Sequence, residues 1–161
     1  MSLESEIHDL SQQLVDKLIA EGKTFSTAES CTGGLIGKSI TDIAGSSQAY
    51  DRGFITYSNN AKMDHLGVEG TTLEEFGAVS EEIAKEMALG ARSTSGTNFA
   101  ISTTGIAGPD GGTNTKPVGL VYIGITDGLI TKASKYIFEG DRNTIRLQAT
   151  KQAIINSLDL L

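Results

Sequence analysis

The sequence has few of the residues that build disulfide-linked or metal-dependent proteins. Its one cysteine, Cys31, cannot form an internal disulfide, so we expect the reducing cytoplasm as its location. Only two histidines occur, His8 and His65, and no cluster of histidines, cysteines and carboxylates accompanies Asp110. This scarcity argues against a metal site. We therefore expect no metal and no other cofactor.

Basic residues and long apolar runs are also scarce. The chain has 13 Lys and Arg against 20 Asp and Glu, which gives a formal net charge of −7. This charge argues against nucleic-acid or membrane partners, although local cations could still hold a small anionic ligand. No stretch approaches a membrane span, and residues 1–20 lack the apolar core of a signal peptide. Length and composition predict one globular domain over residues 1–161.

The chain alternates between helix-like and strand-like patterns. The predicted helices are 5–21, 35–43, a short one from about 60, 81–94 and 142–158. The predicted strands are 23–28, a buried one at 53–57, 99–105, 119–126 and 129–138. The last two strands flank Asp127-Gly128, which suits a tight type I′ hairpin turn. The order predicts a three-layer αβα fold of the α/β class, with a mixed, mostly parallel sheet and helices on both faces.

Ligands in such sheets bind at the carboxyl ends of the strands, and residues 28–34, AESCTGG, occupy one such end. Ser30 and Cys31 are adjacent nucleophile candidates at a strand-to-helix turn. Backbone N–H groups from Cys31 to Gly34 could bind an anion or a developing oxyanion, and Gly33-Gly34 permits close approach of a ligand. Ser30 or Thr32 could equally be a helix cap.

Cys31 is better explained as a buried structural residue than as a nucleophile. Cysteine is among the most buried residue types, and a catalytic thiolate needs an imidazole or another cation nearby. Neither His8 nor His65 is well placed for that task.

A phosphate-loop-like pattern overlaps this motif. Residues 32–39, TGGLIGKS, match the phosphate-loop sequence except that Thr32 replaces its first glycine. Lys38 would then lie within a helix and point away from a phosphate. A nucleoside triphosphate binder remains an alternative.

A second strand end, YSNNAK at 57–62, offers a lysine in place of a histidine base. Ser58 or the asparagines after it could cap a short helix, which puts Lys62 near the first turn. A cation there opposes the helix dipole, and partial burial would lower the pKa of Lys62, so that it could act as a base for a serine. A solvated surface lysine is the alternative.

The third strand end is the loop TTGIAGPDGGTNTKPVG, residues 103–119. A long loop anchored by a strand at each end favours a functional role. Gly105 and Gly108 permit close approach of a ligand, and Thr104 offers a hydroxyl group.

The segment EGDRNTIR, residues 139–146, begins the last predicted helix. Arg142 and Arg146 share one helix face there. Arg142 at the helix start suits a phosphate, because guanidinium and free N–H groups both favour an anion. A surface ion pair with Glu139 or Asp141 is the alternative.

Taken in order, these segments resemble the CinA carboxyl-terminal domain family in its stand-alone form. The segments are TAESCTGGLIGKSITDIAGSS, GFITYSNNAK, GAVSEE, TGIAGPDGG, KPVG and GDR, and the resemblance spans about residues 5–158. The family is known as nicotinamide-nucleotide amidohydrolase, or nicotinamide mononucleotide (NMN) deamidase. The resemblance implies metal-free hydrolysis of NMN to nicotinic acid mononucleotide and ammonia, with the product re-entering NAD synthesis.

The resemblance also assigns roles to particular residues. Ser30 is the implied nucleophile, Lys62 the implied base, and Tyr57 a helper in proton transfer or orientation. Family habit suggests a homodimer. Two other functions stay open, namely a nucleotide-binding module without chemistry and an amidase for another small amide.

Overall fold

Six α-helices and five β-strands follow one another in the computed structural model, which describes residues 1–161. The helices are α1 (Leu3–Glu21), α2 (Leu35–Thr41), α3 (Asn59–Leu66), α4 (Gly70–Phe76), α5 (Glu81–Ser95) and α6 (Arg142–Leu160). The strands are β1 (Phe25–Glu29), β2 (Tyr50–Ile55), β3 (Phe99–Gly105), β4 (Leu120–Thr126) and β5 (Thr131–Ile137). None of the helices combines the length and the apolar composition that crossing a membrane requires.

The five strands form one sheet in the order β2-β1-β3-β4-β5. Strand β1 pairs in parallel with both β2 and β3, whereas β4 pairs antiparallel with β3 and β5. Four strands therefore run in one direction and only β4 runs against them. This confirms the predicted mixed, mostly parallel sheet, and it brings the carboxyl ends of β1, β2 and β3 to one edge.

Helices cover both faces of the sheet, which confirms the predicted three layers. Helices α1, α2 and α6 pack together on one face, while α5 covers the other and carries α3 and α4 beside it. The larger apolar core lies under α1 and α6, where the rings of Phe25 and Phe99 stack at 5.1 Å. The smaller core lies under α5 around Ile83 and Met87. Full burial of each such side chain contributes roughly 1.5–3 kcal/mol.

Three helices begin at the polar residues that mark such starts in the sequence. The side chains of Ser58, Ser80 and Asp141 each accept a hydrogen bond from the backbone N–H three residues later. These bonds satisfy donors that a helix leaves free in its first turn. The cap at Ser58 fixes the start of α3 and therefore the position of Lys62 within it.

The prediction of a buried strand at 53–57 is wrong in its position and its exposure. Strand β2 ends at Ile55 and forms an edge of the sheet, with most of its residues exposed. Aromatic and β-branched residues favour a strand without indicating how many neighbours it has. Gly53 leaves room for two side-chain hydroxyl groups, those of Tyr50 and Thr27, which a Cβ atom at this position would displace.

Two other details differ from the prediction. Helix α4 (Gly70–Phe76) was not expected, since its sequence has no apolar period and none of its residues is buried. The β4–β5 connection has four residues, 127–130, instead of a tight two-residue turn. The Asp127 carboxylate accepts the N–H groups of Leu129 and Ile130 and so stabilises the longer loop.

Candidate active site

The structure brings Ser30 and Lys62 together at the shared edge of β1, β2 and β3. Ser30 directly follows β1, and its N–H donates to the Thr103 carbonyl at 3.0 Å. Lys62 reaches in from the first turns of α3, and its Nζ lies 3.0 Å from the Ser30 Oγ. A hydroxyl and an amine from separate segments therefore form a hydrogen-bonded pair at the predicted strand ends.

Lys62, the amine of this pair, is buried, with only 1% of its surface exposed. Its Nζ also donates to the Thr56 carbonyl at 2.9 Å and to the Tyr57 carbonyl at 3.3 Å. No carboxylate lies within 4.0 Å of it, so its charge has no counter-ion. Burial lowers the pKa of Lys62 below the ordinary lysine value of 10.5. Compared with a lysine in water, the site shifts Lys62 toward the neutral amine, the form that can accept a proton.

The turn after Ser30 leaves two backbone donors without a partner. Gly33 and Gly34 have φ angles of 59° and 104°, which only glycine adopts without strain. The Gly33 N–H donates back to the Ser30 carbonyl at 3.0 Å, and the Gly34 N–H donates to Glu29 at 3.1 Å. Of the backbone N–H groups from Cys31 to Gly34 that the sequence offers for an oxyanion, those of Gly33 and Gly34 are therefore already occupied. The N–H groups of Cys31 and Thr32 donate to no acceptor within the protein.

Glu29 organises the start of α2 and was not assigned this role from the sequence. Its buried carboxylate accepts four hydrogen bonds at 2.7–3.1 Å, and it is 1% exposed. The donors are the Thr32 hydroxyl and the N–H groups of Gly34, Ile36 and Gly37. A carboxylate at this place also complements the helix dipole. Glu29 therefore stabilises the turn that carries Ser30.

The same carboxylate argues against the phosphate-loop alternative. A phosphate would need the N–H groups that Glu29 already occupies, and it would meet a negative charge. Lys38 is exposed and pairs with Asp42 at 2.6 Å on the surface of α2. The loop therefore lacks both a free cradle and a lysine directed at it.

Arg146 contacts the turn formed by residues 30–34, which we call the serine turn. Its Nε donates to the Cys31 carbonyl at 3.0 Å, and its Nη2 donates to the Thr32 carbonyl at 3.1 Å. The sequence indicates that Arg146 shares a helix face with Arg142, but it does not indicate this contact. The two residues joined by the Nε bond are 115 positions apart.

The Cys31 side chain is not part of the hydrogen-bonded pair. The thiol is 5% exposed, and burial raises its pKa to about 12. Such a thiol stays protonated at neutral pH and is a poor nucleophile. This environment agrees with the structural role that the sequence favours for it.

Tyr57 and Arg142 lie together at the mouth of the site. The Tyr57 hydroxyl accepts a hydrogen bond from Arg142 Nη2 at 3.0 Å and makes none with Ser30 or Lys62. Arg142 Nη1 donates to the Gly108 carbonyl at 2.6 Å, so the glycine-rich loop joins the same group. Arg142 is exposed and has no carboxylate within 4.0 Å. Its charge therefore remains available to an anion.

Thr104 and Gly105 contact the protein rather than an open cleft. The Thr104 hydroxyl donates to the Ala78 carbonyl at 2.8 Å, and the residue is 1% exposed. A Cβ atom on Gly105 would lie 2.7 Å from the Leu120 carbonyl oxygen. The packing of β3 against neighbouring residues is therefore enough to explain why threonine and glycine occupy these two positions.

No group of three or more His, Cys, Asp or Glu side chains is arranged to hold a metal ion. The chemistry available at this edge is that of a serine, a buried amine and two free N–H groups. Together these groups can add a nucleophile to a carbonyl carbon and hold the resulting oxyanion.

Comparison with known proteins gives a consistent set of relatives. The model of the CinA C-terminal domain matches residues 7–161. "Nicotinamide-nucleotide amidohydrolase PncC" of Enterobacter agglomerans is 54% identical, over 91% of this chain and 90% of that protein. A "putative competence-damage inducible protein" of Caldicellulosiruptor saccharolyticus is also 54% identical over 90% of this chain, which spans only 35% of that longer protein. The crystal structure of "competence/damage inducible protein CihA" from Agrobacterium tumefaciens superposes with a TM-score of 0.94 at 44% identity, covering 96% and 95% of the two chains.

Proposed function

Because the chain belongs to the CinA C-terminal domain family, we propose that it is an amidohydrolase that converts NMN to nicotinic acid mononucleotide and ammonia. The observation that carries this proposal is the 3.0 Å contact between Ser30 Oγ and the buried Lys62 Nζ. The relative named as a nicotinamide-nucleotide amidohydrolase covers nearly the whole chain and supports the choice of substrate. Cys31, the one cysteine of this chain, has no partner for an internal disulfide, which agrees with a reducing compartment such as the cytoplasm.

Lys62 acts as the base in the proposed first step. A neutral amine has two N–H bonds and one lone pair, and the two carbonyl groups of Thr56 and Tyr57 accept the two N–H bonds. The lone pair is then left for the Ser30 hydroxyl proton. As Lys62 takes this proton, the Ser30 Oγ attacks the carboxamide carbon and forms a tetrahedral intermediate.

The free N–H groups of Cys31 and Thr32 stabilise the oxyanion of that intermediate. Protonated Lys62 then returns its proton to the departing nitrogen, the C–N bond breaks, and ammonia leaves. Water attacks the resulting ester with Lys62 again as the base. Hydrolysis releases the carboxylate product and restores the Ser30 hydroxyl group.

Arg142 binds the phosphate of NMN in this scheme. It lies at the N-terminus of α6, it has no acidic partner, and Tyr57 and Gly108 hold its guanidinium in place. A guanidinium group binds phosphate through paired, charge-assisted hydrogen bonds. Tyr57 therefore orients Arg142 rather than transferring a proton itself.

Replacing Arg142 by alanine is expected to raise KM for NMN by about tenfold to a hundredfold, with a smaller change in kcat. Loss of a charge-assisted hydrogen bond to phosphate costs about 1.5–3 kcal/mol of binding. The test measures ammonia release from NMN and from nicotinamide riboside, which lacks the phosphate. The wild type should prefer NMN, and Arg142→Ala should lose that preference. Equal use of both substrates by the wild type would favour an amidase for another small amide.

A further inference from the structure

The side chain of Arg146 makes hydrogen bonds only with the backbone of the serine turn. It is half-buried and has no carboxylate within 4.0 Å, so it forms no ion pair. Its two hydrogen bonds go to the carbonyl groups of Cys31 and Thr32, next to the nucleophile. A Cβ atom on Gly33 would lie 2.9 Å from its Nη2, so the guanidinium packs directly against the turn.

The Cys31–Thr32 peptide connects this contact to catalysis. In a planar trans peptide, the carbonyl oxygen and the N–H point in opposite directions. No other group in the protein donates to the Cys31 carbonyl, so Arg146 alone holds that end of the peptide. The Thr32 N–H, at the other end of the same peptide, is one of the two free donors.

The other free donor is held in a different way. The Cys31 N–H belongs to the Ser30–Cys31 peptide, whose carbonyl accepts the Gly33 N–H at 3.0 Å. That contact lies within the turn and does not involve α6. The Gly33 N–H shares its peptide with the Thr32 carbonyl, to which Arg146 Nη2 donates, so Arg146 supports the Cys31 donor only indirectly. It holds the peptide of the Thr32 donor directly.

We propose that Arg146 is a positioning residue that orients the Thr32 N–H toward the oxyanion and adds positive charge behind it. The proposal rests on the function proposed above, in which an oxyanion forms at Ser30. A donor to an oxyanion acts in the transition state and little in the ground state. Arg146 therefore controls the rate of the chemical step and leaves substrate binding nearly unchanged.

The experiment compares Arg146→Lys and Arg146→Ala with Arg92→Lys as the matched control. Arg92, in the last turn of α5, also donates from its Nε to a backbone carbonyl, that of Asn98 at 3.1 Å. Asn98 directly precedes β3, so this contact lies at the opposite end of the strands from Ser30. Thermal unfolding first establishes that each variant is folded at the assay temperature. Both Arg146 variants should lower kcat for NMN by about tenfold to a hundredfold, with KM within about threefold of wild type. The control should keep both constants.

A second measurement is independent of the natural substrate. A small alkyl phosphonofluoridate forms a bond from Ser30 Oγ to phosphorus and releases fluoride, and its phosphoryl oxygen occupies the oxyanion position. Arg146→Ala should react at least about tenfold more slowly than wild type, and added guanidinium ion should restore part of the rate. The pH at which the rate reaches half its maximum should not move, because Lys62 sets it.

The outcomes separate this proposal from the proposed function. Slow phosphonylation of Arg146→Ala supports the positioning role even if the wild type does not hydrolyse NMN. Wild-type phosphonylation rates in both Arg146 variants would overturn it, as would a higher KM with an unchanged kcat. A folded Arg146→Ala variant that guanidinium ion fails to rescue would also count against it.

Discussion

Replacing Lys62 by methionine is expected to lower kcat for NMN hydrolysis by about 10²–10⁴-fold, the range that general-base catalysis contributes. Methionine has a similar length and fills the buried site, but it cannot accept the Ser30 proton. No other side chain donates to or accepts from the Ser30 Oγ, so no second base replaces it. The measurement is ammonia release under saturating NMN.

The pH dependence identifies the same residue. Burial lowers the pKa of Lys62 below 10.5, so the wild-type rate should rise with pH as the amine loses its proton, with a midpoint below that value. The residual rate of Lys62→Met should lack this rise. Stability has the same sign, because between the folded and unfolded pKa values the unfolded chain holds one more proton. The free energy of unfolding therefore increases with pH across that window.

Two further variants test whether catalysis requires a basic amine at position 62. One keeps a positive charge there without a base, and the other removes a lysine elsewhere. Lys62→Arg keeps a cation but cannot act as a base at neutral pH, so it should be as inactive as the methionine variant. Lys38→Met removes an exposed lysine of α2 and should keep the wild-type rate. An active, folded Lys62→Arg enzyme would contradict the base assignment.

Replacing Glu29 by glutamine is expected to lower the free energy of unfolding by about 1–3 kcal/mol, and alanine should lower it further. Oε1 accepts three hydrogen bonds and Oε2 accepts the Gly37 N–H at 3.0 Å. A glutamine can keep its oxygen at the first place, but its NH₂ group then faces the Gly37 N–H. Two donors then face each other in a buried position.

Urea unfolding of Glu29→Gln and of Glu75→Gln measures this effect. Glu75 is exposed on α4, and its substitution should change stability by less than about 0.5 kcal/mol. Glu29→Gln should also lower kcat, because the turn that carries Ser30 loses part of its support. Equal unfolding midpoints for Glu29→Gln and wild type would show that the carboxylate does not hold the turn.

Residue types at strand ends were enough to predict which segments meet at the carboxyl edge of the sheet. The apolar spacing predicts the helices, and ligands of an α/β sheet gather at its carboxyl edge, so residues 28–34 and 57–62 were expected to meet. The resemblance to a family assigned Ser30 and Lys62 to that place. The lowered pKa of Lys62 was expected from burial, but the carbonyl groups that bind its Nζ were not, because a backbone acceptor leaves no mark in a sequence.

The supports of the turn could not be predicted in the same way. Glu29 was visible beside Ser30, yet its ability to occupy the N–H groups of α2 depends on the bend at Gly33-Gly34. The Arg146 contact depends on how α6 packs beside α2, which is a tertiary relation across more than a hundred residues. Local patterns carry no information about either arrangement.

The most direct test of the account measures ammonia and nicotinic acid mononucleotide formed from NMN by wild type, Ser30→Ala and Cys31→Ala, side by side with a chelator present. Wild type should form both products in equal amounts. Ser30→Ala should be slower by at least about 10³-fold, while Cys31→Ala, which keeps the backbone N–H, should stay within about tenfold of wild type. Full turnover by folded Ser30→Ala, or no product from wild type, would contradict the assignment of Ser30 as the nucleophile of an NMN amidohydrolase.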